Sequence, residues 1–162
     1  MEEHVMIKSL FSGLAVATSL IASSVFAEGL QINVAYGEKA EKAFSKTYGE
    51  RERSVIVDTI KRNLTREVGD QAARIDVVIN DVVANRPTFK QLGDRPGLSF
   101  QSFGIGGADI SGKAYDAAGN LLGQVTYDWY GDIYWANTSW TWSDADRAIY
   151  GFSRRLASVV PG

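Results

Sequence analysis

The chain has 162 residues, no cysteine, one histidine and 19 acidic against 17 basic side chains, for a formal net charge of −2. That balance leaves no electrostatic footprint for nucleic acid or an anionic membrane surface. The missing cysteine excludes disulfide staples, thiolate chemistry and a lipidated N-terminal cysteine.

The first stretch, Met1 to about Ala27, reads as a secretory signal peptide. An apolar run from Leu10 to Ala22 follows Lys8, and Ser23-Ser24-Val25-Phe26-Ala27 offers small or branched residues at Val25 and Ala27 for cleavage before Glu28. Glu2 and Glu3 sit poorly in a signal n-region, so Met1 and Met6 both stand as candidate starts. The run is shorter than the ~20 residues a spanning helix needs, and residues 28–162 then form one globular domain with no membrane span, periplasmic or secreted. The only histidine, His4, lies in the segment expected to be removed. Serine–histidine and cysteine–histidine nucleophiles, histidine zinc sites and histidine-ligated haem are thereby excluded, and nothing in the pattern asks for a metal or another cofactor.

Leu30, Ile32 and Val34 alternate with polar residues, which predicts a strand. Gly37 to Arg53 is crowded with charges and reads as a polar connection with a helical turn. Val57, Ile60, Leu64 and Val68 recur at helical spacing, predicting a helix over 54–68 with Ser54 as its cap and Gly69 as its stop. Ala73 to Ala84 is rich in β-branched residues with Ile75, Val77 and Ile79 on one face, and Asn85-Arg86-Pro87 ends that strand. Thr88 to Gly107 is a loop of unusual length, and Gly104-Ile105-Gly106-Gly107 within it lacks the lysine of a phosphate-binding loop.

Two strands, Ala108 to Asp116 and Leu121 to about Trp135, flank a Gly119-Asn120 turn and predict a hairpin. Ile110, Gly112 and Ala114 on the first strand leave room for a ring or helix to approach closely. Ser143-Asp144-Ala145-Asp146 has capping-box spacing, and Ala145, Ile149, Phe152, Leu156 and Val159 form the stripe of a final amphipathic helix. The fold predicted is α+β, a single mostly antiparallel sheet with two helices packed on one face.

Two patterns carry chemistry. Asp109, Asp116, Asp128, Asp132, Asp144 and Asp146 share their region with one cation, Lys113, and a close pair such as Asp128 with Asp132 would suit glycoside cleavage. Turn and helix-start roles account equally for several of these acids. All four tryptophans fall between Tyr127 and Trp142. A strand continuing through this segment would put Val125, Tyr127, Trp129, Ile133 and Trp135 on the core face and Asp128, Tyr130, Asp132 and Tyr134 on the other. The candidate binding residues are therefore Asp128, Tyr130, Asp132, Tyr134, Trp140 and Trp142, in a mixture of aromatics and carboxylates that suits a glycan or a partner protein. Ordinary cross-strand packing on a wet sheet face suits Tyr130 and Tyr134 as well.

The succession Asn85-Arg86-Pro87, Gly106-Gly107-Ala108 with Ile110, Tyr115-Asp116-Ala117-Ala118-Gly119 with Leu121-Leu122-Gly123, and Asp146-Arg147-Ala148 to Phe152 with Arg154-Arg155-Leu156-Ala157 resembles uncharacterised envelope lipoprotein families of Gram-negative bacteria. The likeness covers roughly residues 77–159. It implies an α+β envelope domain and supplies no catalytic residue. This chain departs from those families in lacking the lipidated cysteine. The function expected is an exported, non-enzymatic binding or accessory domain of the cell envelope, acting on an envelope protein or glycan. The alternatives are a carboxylate-dependent hydrolase of cell-wall glycan and a self-associating structural protein.

Overall fold

The computed structural model describes residues 29–161, so the expected signal peptide, its cleavage point and both candidate starts lie outside the described residues. The elements in chain order are β1 (Gln31–Tyr36), α1 (Glu38–Lys42) running into a π-helical stretch (Ala43–Tyr48), α2 (Glu50–Glu67), β2 (Arg74–Val83), α3 (Phe89–Asp94), β3 (Gly107–Tyr115), β4 (Leu121–Tyr130), α4 (Ile133–Ala136) and α5 (Ser143–Val159). The fold is α+β, with one sheet in the order β1-β2-β3-β4. It is mostly antiparallel: β1 runs parallel to β2, and the β2–β3 and β3–β4 pairings are antiparallel. A parallel pair needs a long crossover, which α1, the π-helical stretch and α2 provide. Among the described residues there are five α-helices where two were predicted, and none is long and apolar enough to cross a membrane.

The core gathers one face of the sheet with α2 and α5. Ile75, Val77 and Ile79 of β2 and Ile110 and Ala114 of β3 are buried with Ile56, Ile60 and Leu64 of α2 and Ile149, Phe152 and Leu156 of α5. A side chain such as Phe152 contributes about 1.5–3 kcal/mol by leaving water. Its ring reaches the sheet because β3 carries glycine at 112: a Cβ there would lie 2.6 Å from Phe152 Cζ. The predicted close approach is thus made by α5. At the other side of the core Arg53 stacks over Tyr36 and Phe44, 4.5 and 5.3 Å from their ring centres, and donates two hydrogen bonds to Glu41 at 2.7 and 2.9 Å. That clamp ties the crossover to β1.

Several boundaries differ from the expectation, each for a local reason. The second helix begins at Glu50 rather than Ser54, because Gly49, at φ +96°, supplies the break and Glu50 and Glu52 suit the first turn. Ser54 is an interior residue whose hydroxyl donates to the Glu50 carbonyl at 3.3 Å. The polar connection before it is largely helical, since Ala40, Phe44 and Tyr48 recur every four residues and are buried. The long loop contains α3, started by a capping box in which Thr88 and Gln91 exchange side-chain and backbone bonds. β4 ends at Tyr130 instead of Trp135, so Asp132 and Tyr134 are not strand residues and Ile133 and Trp135 do not face the core. Ser143 is not the cap of α5: its hydroxyl accepts the Trp140 N–H at 2.7 Å, and Val159 at the helix end is exposed while Val160 is buried.

Backbone propensity alone would make Gly112→Ala neutral or stabilising. Here the added methyl meets a fully buried ring, so urea unfolding should show a loss of about 1–3 kcal/mol. A gain in stability would mean that α5 does not sit this close to β3.

Candidate functional site

The antiparallel register brings the end of β2, the start of β3 and the end of β4 to one end of the sheet, with Val83 opposite Gly107 and Gly107 opposite Tyr130. The segments 84–106 and 131–142 therefore emerge together. Asn85, which is buried, organises them. Its N–H donates to the Thr141 carbonyl at 2.8 Å, and its own carbonyl accepts the Gly104 N–H at 2.8 Å. Its side chain donates to Asp144 Oδ2 at 2.5 Å and accepts the Asp144 N–H at 2.9 Å. Asn85 thus caps the first turn of α5 from across the fold, satisfying an N–H that the helix cannot. Asp144, also buried, places its carboxylate at the positive end of the helix and accepts a further bond from the Gly106 N–H at 3.3 Å. The space is tight: a Cβ on Gly106 would lie 2.5 Å from Asn85 Oδ1, and one on Gly131 would fall on the Asp144 carboxylate.

Arg86 extends the same tie outward. Its guanidinium donates to the carbonyls of Ser139 at 2.5 Å, Asn137 at 2.5 Å and Phe100 at 3.0 Å. Backbone held this way presents large apolar side chains to water. Tyr134 is 83% exposed, Trp140 82%, Trp135 68%, Phe100 66% and Phe89 63%. Phe89 and Phe100 meet edge to face with centroids 5.9 Å apart, and Arg51 stacks 5.3 Å from the Phe89 ring centre. The two phenylalanines, with Trp140, Arg86, Glu52 and Thr138, line a groove of about 480 Å³. A neighbouring hollow of about 390 Å³ runs along Trp135, Trp140 and Arg147.

The six residues singled out in the sequence separate. Trp140 stands on the rim of the groove and Tyr134 is exposed on α4. Asp132 caps α4, accepting the Tyr134 N–H at 2.9 Å. Trp142 is 6% exposed, packs edge to face on Tyr48 at 5.0 Å and donates Nε1–H to Glu52 at 2.7 Å, so it belongs to the core. Asp128 and Tyr130 lie on the open face of the sheet, on the side away from the helices. There Asp81, Asp109 and Asp128 stand directly opposite one another across β2, β3 and β4. Lys39 pairs with Asp81 at 3.0 Å, Asn80 donates to Asp109 at 3.0 Å, and the Tyr130 hydroxyl donates to Asp81 at 3.2 Å. Burial, and then the negative charge of Asp81, push the Tyr130 phenol up to about 12.

Chemically, the arrangement offers flat apolar surface with hydroxyls and one carboxylate on the aromatic rim, and a row of carboxylates on the open face. Asp128 has Asp109 rather than Asp132 as its neighbour. Among the described residues no three acidic or histidine side chains converge to hold a metal. Phe89, Phe100, Asn85 and Arg86 were missed as site residues. Three phenylalanines, Phe89, Phe100 and Phe103, in a Gly-rich loop were the available signal; nothing local marks Asn85 as a helix cap. No protein-family model matches the chain, and no curated protein or solved structure is significantly similar to it.

Asn85→Ala would remove the cap of α5 and leave the Asp144 carboxylate short of a donor, and denaturant unfolding should show a loss on the order of 3 kcal/mol. A loss under a few tenths would mean the pair is not a structural centre. The raised Tyr130 titration has a sign that can be checked: an unfolded tyrosine titrates near 10, so its protonated form favours the folded state. That contribution is complete below about pH 10 and is lost as pH rises through about 12. The phenolate absorbance difference between the protein and Tyr130→Phe should show a transition near 12, lowered only in part by Asp81→Asn because burial is the larger cause. A transition near 10 would contradict the contact.

Proposed function

We propose that this chain is an exported, non-enzymatic binding domain of the bacterial cell envelope that grips its partner with the aromatic end of its sheet. The observation that carries the reading is the gathering of Phe89, Phe100, Trp135 and Trp140, each more than three-fifths exposed, around two adjoining hollows. Single exposed apolar residues are ordinary, whereas a contiguous cluster with a polar rim marks an interaction site. Trp and Phe supply large contact area at small conformational cost, and the carbonyl contacts of Arg86 hold the loop backbone in place before any partner arrives. The signal-like N-terminus supports export, and the near-neutral charge argues against nucleic acid as the partner. A glycan hydrolase draws less support, since Asp128 projects from the open sheet face and Asp132 is engaged as the cap of α4.

The exported protein should be purified and its capture measured on isolated cell-wall glycan and on solubilised envelope proteins. Retention on one of the two is expected. A Phe89→Ala, Trp140→Ala variant should lose about tenfold or more in affinity with unfolding unchanged, because both side chains are exposed. Retention equal in the variant, or no retention by the parent, would overturn the assignment.

A further inference from the structure

The sheet has two free edges, and they are not alike. β1 offers six residues, whereas β4 offers ten, Leu121–Tyr130, with no lysine, arginine or proline and one charge, Asp128. Protected edge strands carry such breakers to prevent pairing with other chains. The bond from the Gly131 N–H to the Gly106 carbonyl, 2.9 Å, fixes the phase of the β3–β4 ladder. By the alternation of an antiparallel pair, the N–H and C=O groups of Gln124, Thr126 and Asp128 then point away from β3.

Charge flanks this edge on both faces. On the helix side, Arg155 stacks 4.8 Å from the Tyr127 ring centre and Arg147 5.9 Å from that of Trp129. Neither arginine has a carboxylate within 4 Å among the described residues. Arg155 also lines a hollow of about 500 Å³ between Gln124–Thr126 of β4 and the end of α5. On the open side the charges nearest the edge are Asp128, beside Asp109, and, towards the other end of the strand, Lys113 opposite Gln124.

We propose that the β4 edge binds an extended acidic peptide segment of another protein by strand addition. Side chains two apart on an added strand share a face, so the residues opposite Tyr127 and Trp129 lie beside Arg155 and Arg147 and are acidic. The residue between them lies beside Asp128 and is basic or neutral. Main-chain bonds to Gln124, Thr126 and Asp128 supply affinity and the alternating charges fix the register. A second copy of this chain is the poorer occupant: antiparallel pairing of β4 with its own copy places Arg147 and Arg155 of both chains on the same side, where like charges repel. This surface shares Arg147 with the smaller aromatic hollow, whereas Arg155 and the β4 backbone lie outside both aromatic hollows, so Thr126→Pro tests it apart from the aromatic groove.

The test uses the exported protein and a fluorescent, capped strand-forming peptide carrying Glu-Lys-Glu at its centre, with a Lys-Glu-Lys version as control. Fluorescence anisotropy should show saturable binding that weakens with added salt. The control, and the Arg147→Glu, Arg155→Glu variant, should each bind at least about tenfold more weakly. Thr126→Pro removes only an outward N–H and should abolish binding while circular dichroism stays native; should that variant misfold, the arginine variant carries the test on its own. Equal binding of both peptides, binding unaffected by the arginine variant, or dimerisation of the protein without peptide binding would each overturn the proposal.

Discussion

A buried amide facing a buried carboxylate, Asn85 against Asp144, is the contact on which the arrangement of this domain turns. A carboxylate taken out of water is costly unless donors meet it, and here the Asn85 amide and the Gly106 N–H do so, while the Asn85 side-chain oxygen accepts the Asp144 N–H at the start of α5. The contact joins residues 59 apart in sequence and fixes where α5 begins, and hence how its stripe of Ile149, Phe152 and Leu156 settles on β3 and β4. It also explains two glycines by exclusion. Any side chain at 106 or 131 would occupy the volume of the pair itself. The core and the loop end are therefore not independent parts, because one polar pair sets both.

Arg86 carries the consequence outward. Its three carbonyl partners come from two loop segments that make no sheet or long helix of their own. Loops normally gain order by burying apolar side chains, yet these keep Phe89, Phe100, Trp135 and Trp140 in water. Their backbone is ordered by polar contacts beneath, which leaves the aromatic surface unspent. Such a division, with rigid support below and exposed rings above, lowers the ordering cost of association.

How much of this was legible in the sequence depends on the range of the interaction responsible. Period-two alternation at Ile75, Val77 and Ile79 and the Gly119-Asn120 turn are local signals, and β2 and the β3–β4 hairpin follow them closely. The small residue at 112 was readable as room for a close approach, and Phe152 fills it. The extension of β4 to Trp135 failed because its aromatic residues have high strand propensity, while the competing demand came from Asp144, which needs the space at Gly131. The capping box at Ser143 failed because the helix begins one residue earlier than the spacing implied: the Asp146 N–H that Ser143 would accept already bonds the Trp142 carbonyl, and Asn85, on another element, takes the Asp144 N–H. Trp142 looked like surface because its neighbours are, and only the ring of Tyr48 and the carboxylate of Glu52 make it core.

The two faces of the sheet also differ in charge in a way that no single segment reveals. Asp81, Asp109 and Asp128 come from three strands and meet only through register, with Lys39 as the cation paired to one of them. Like charges placed directly opposite are unfavourable, so this row lowers stability wherever solvent does not screen it. On the other side, Arg147 and Arg155 rest on Trp129 and Tyr127, which lets cations lie against apolar rings without carboxylate partners among the described residues. Negative charge around Asp128 on the open face and positive charge on the helix face converge at the long β4 edge, which no strand covers among the described residues. An incoming strand has two faces of its own, and alternating charge along it is what would meet both at once.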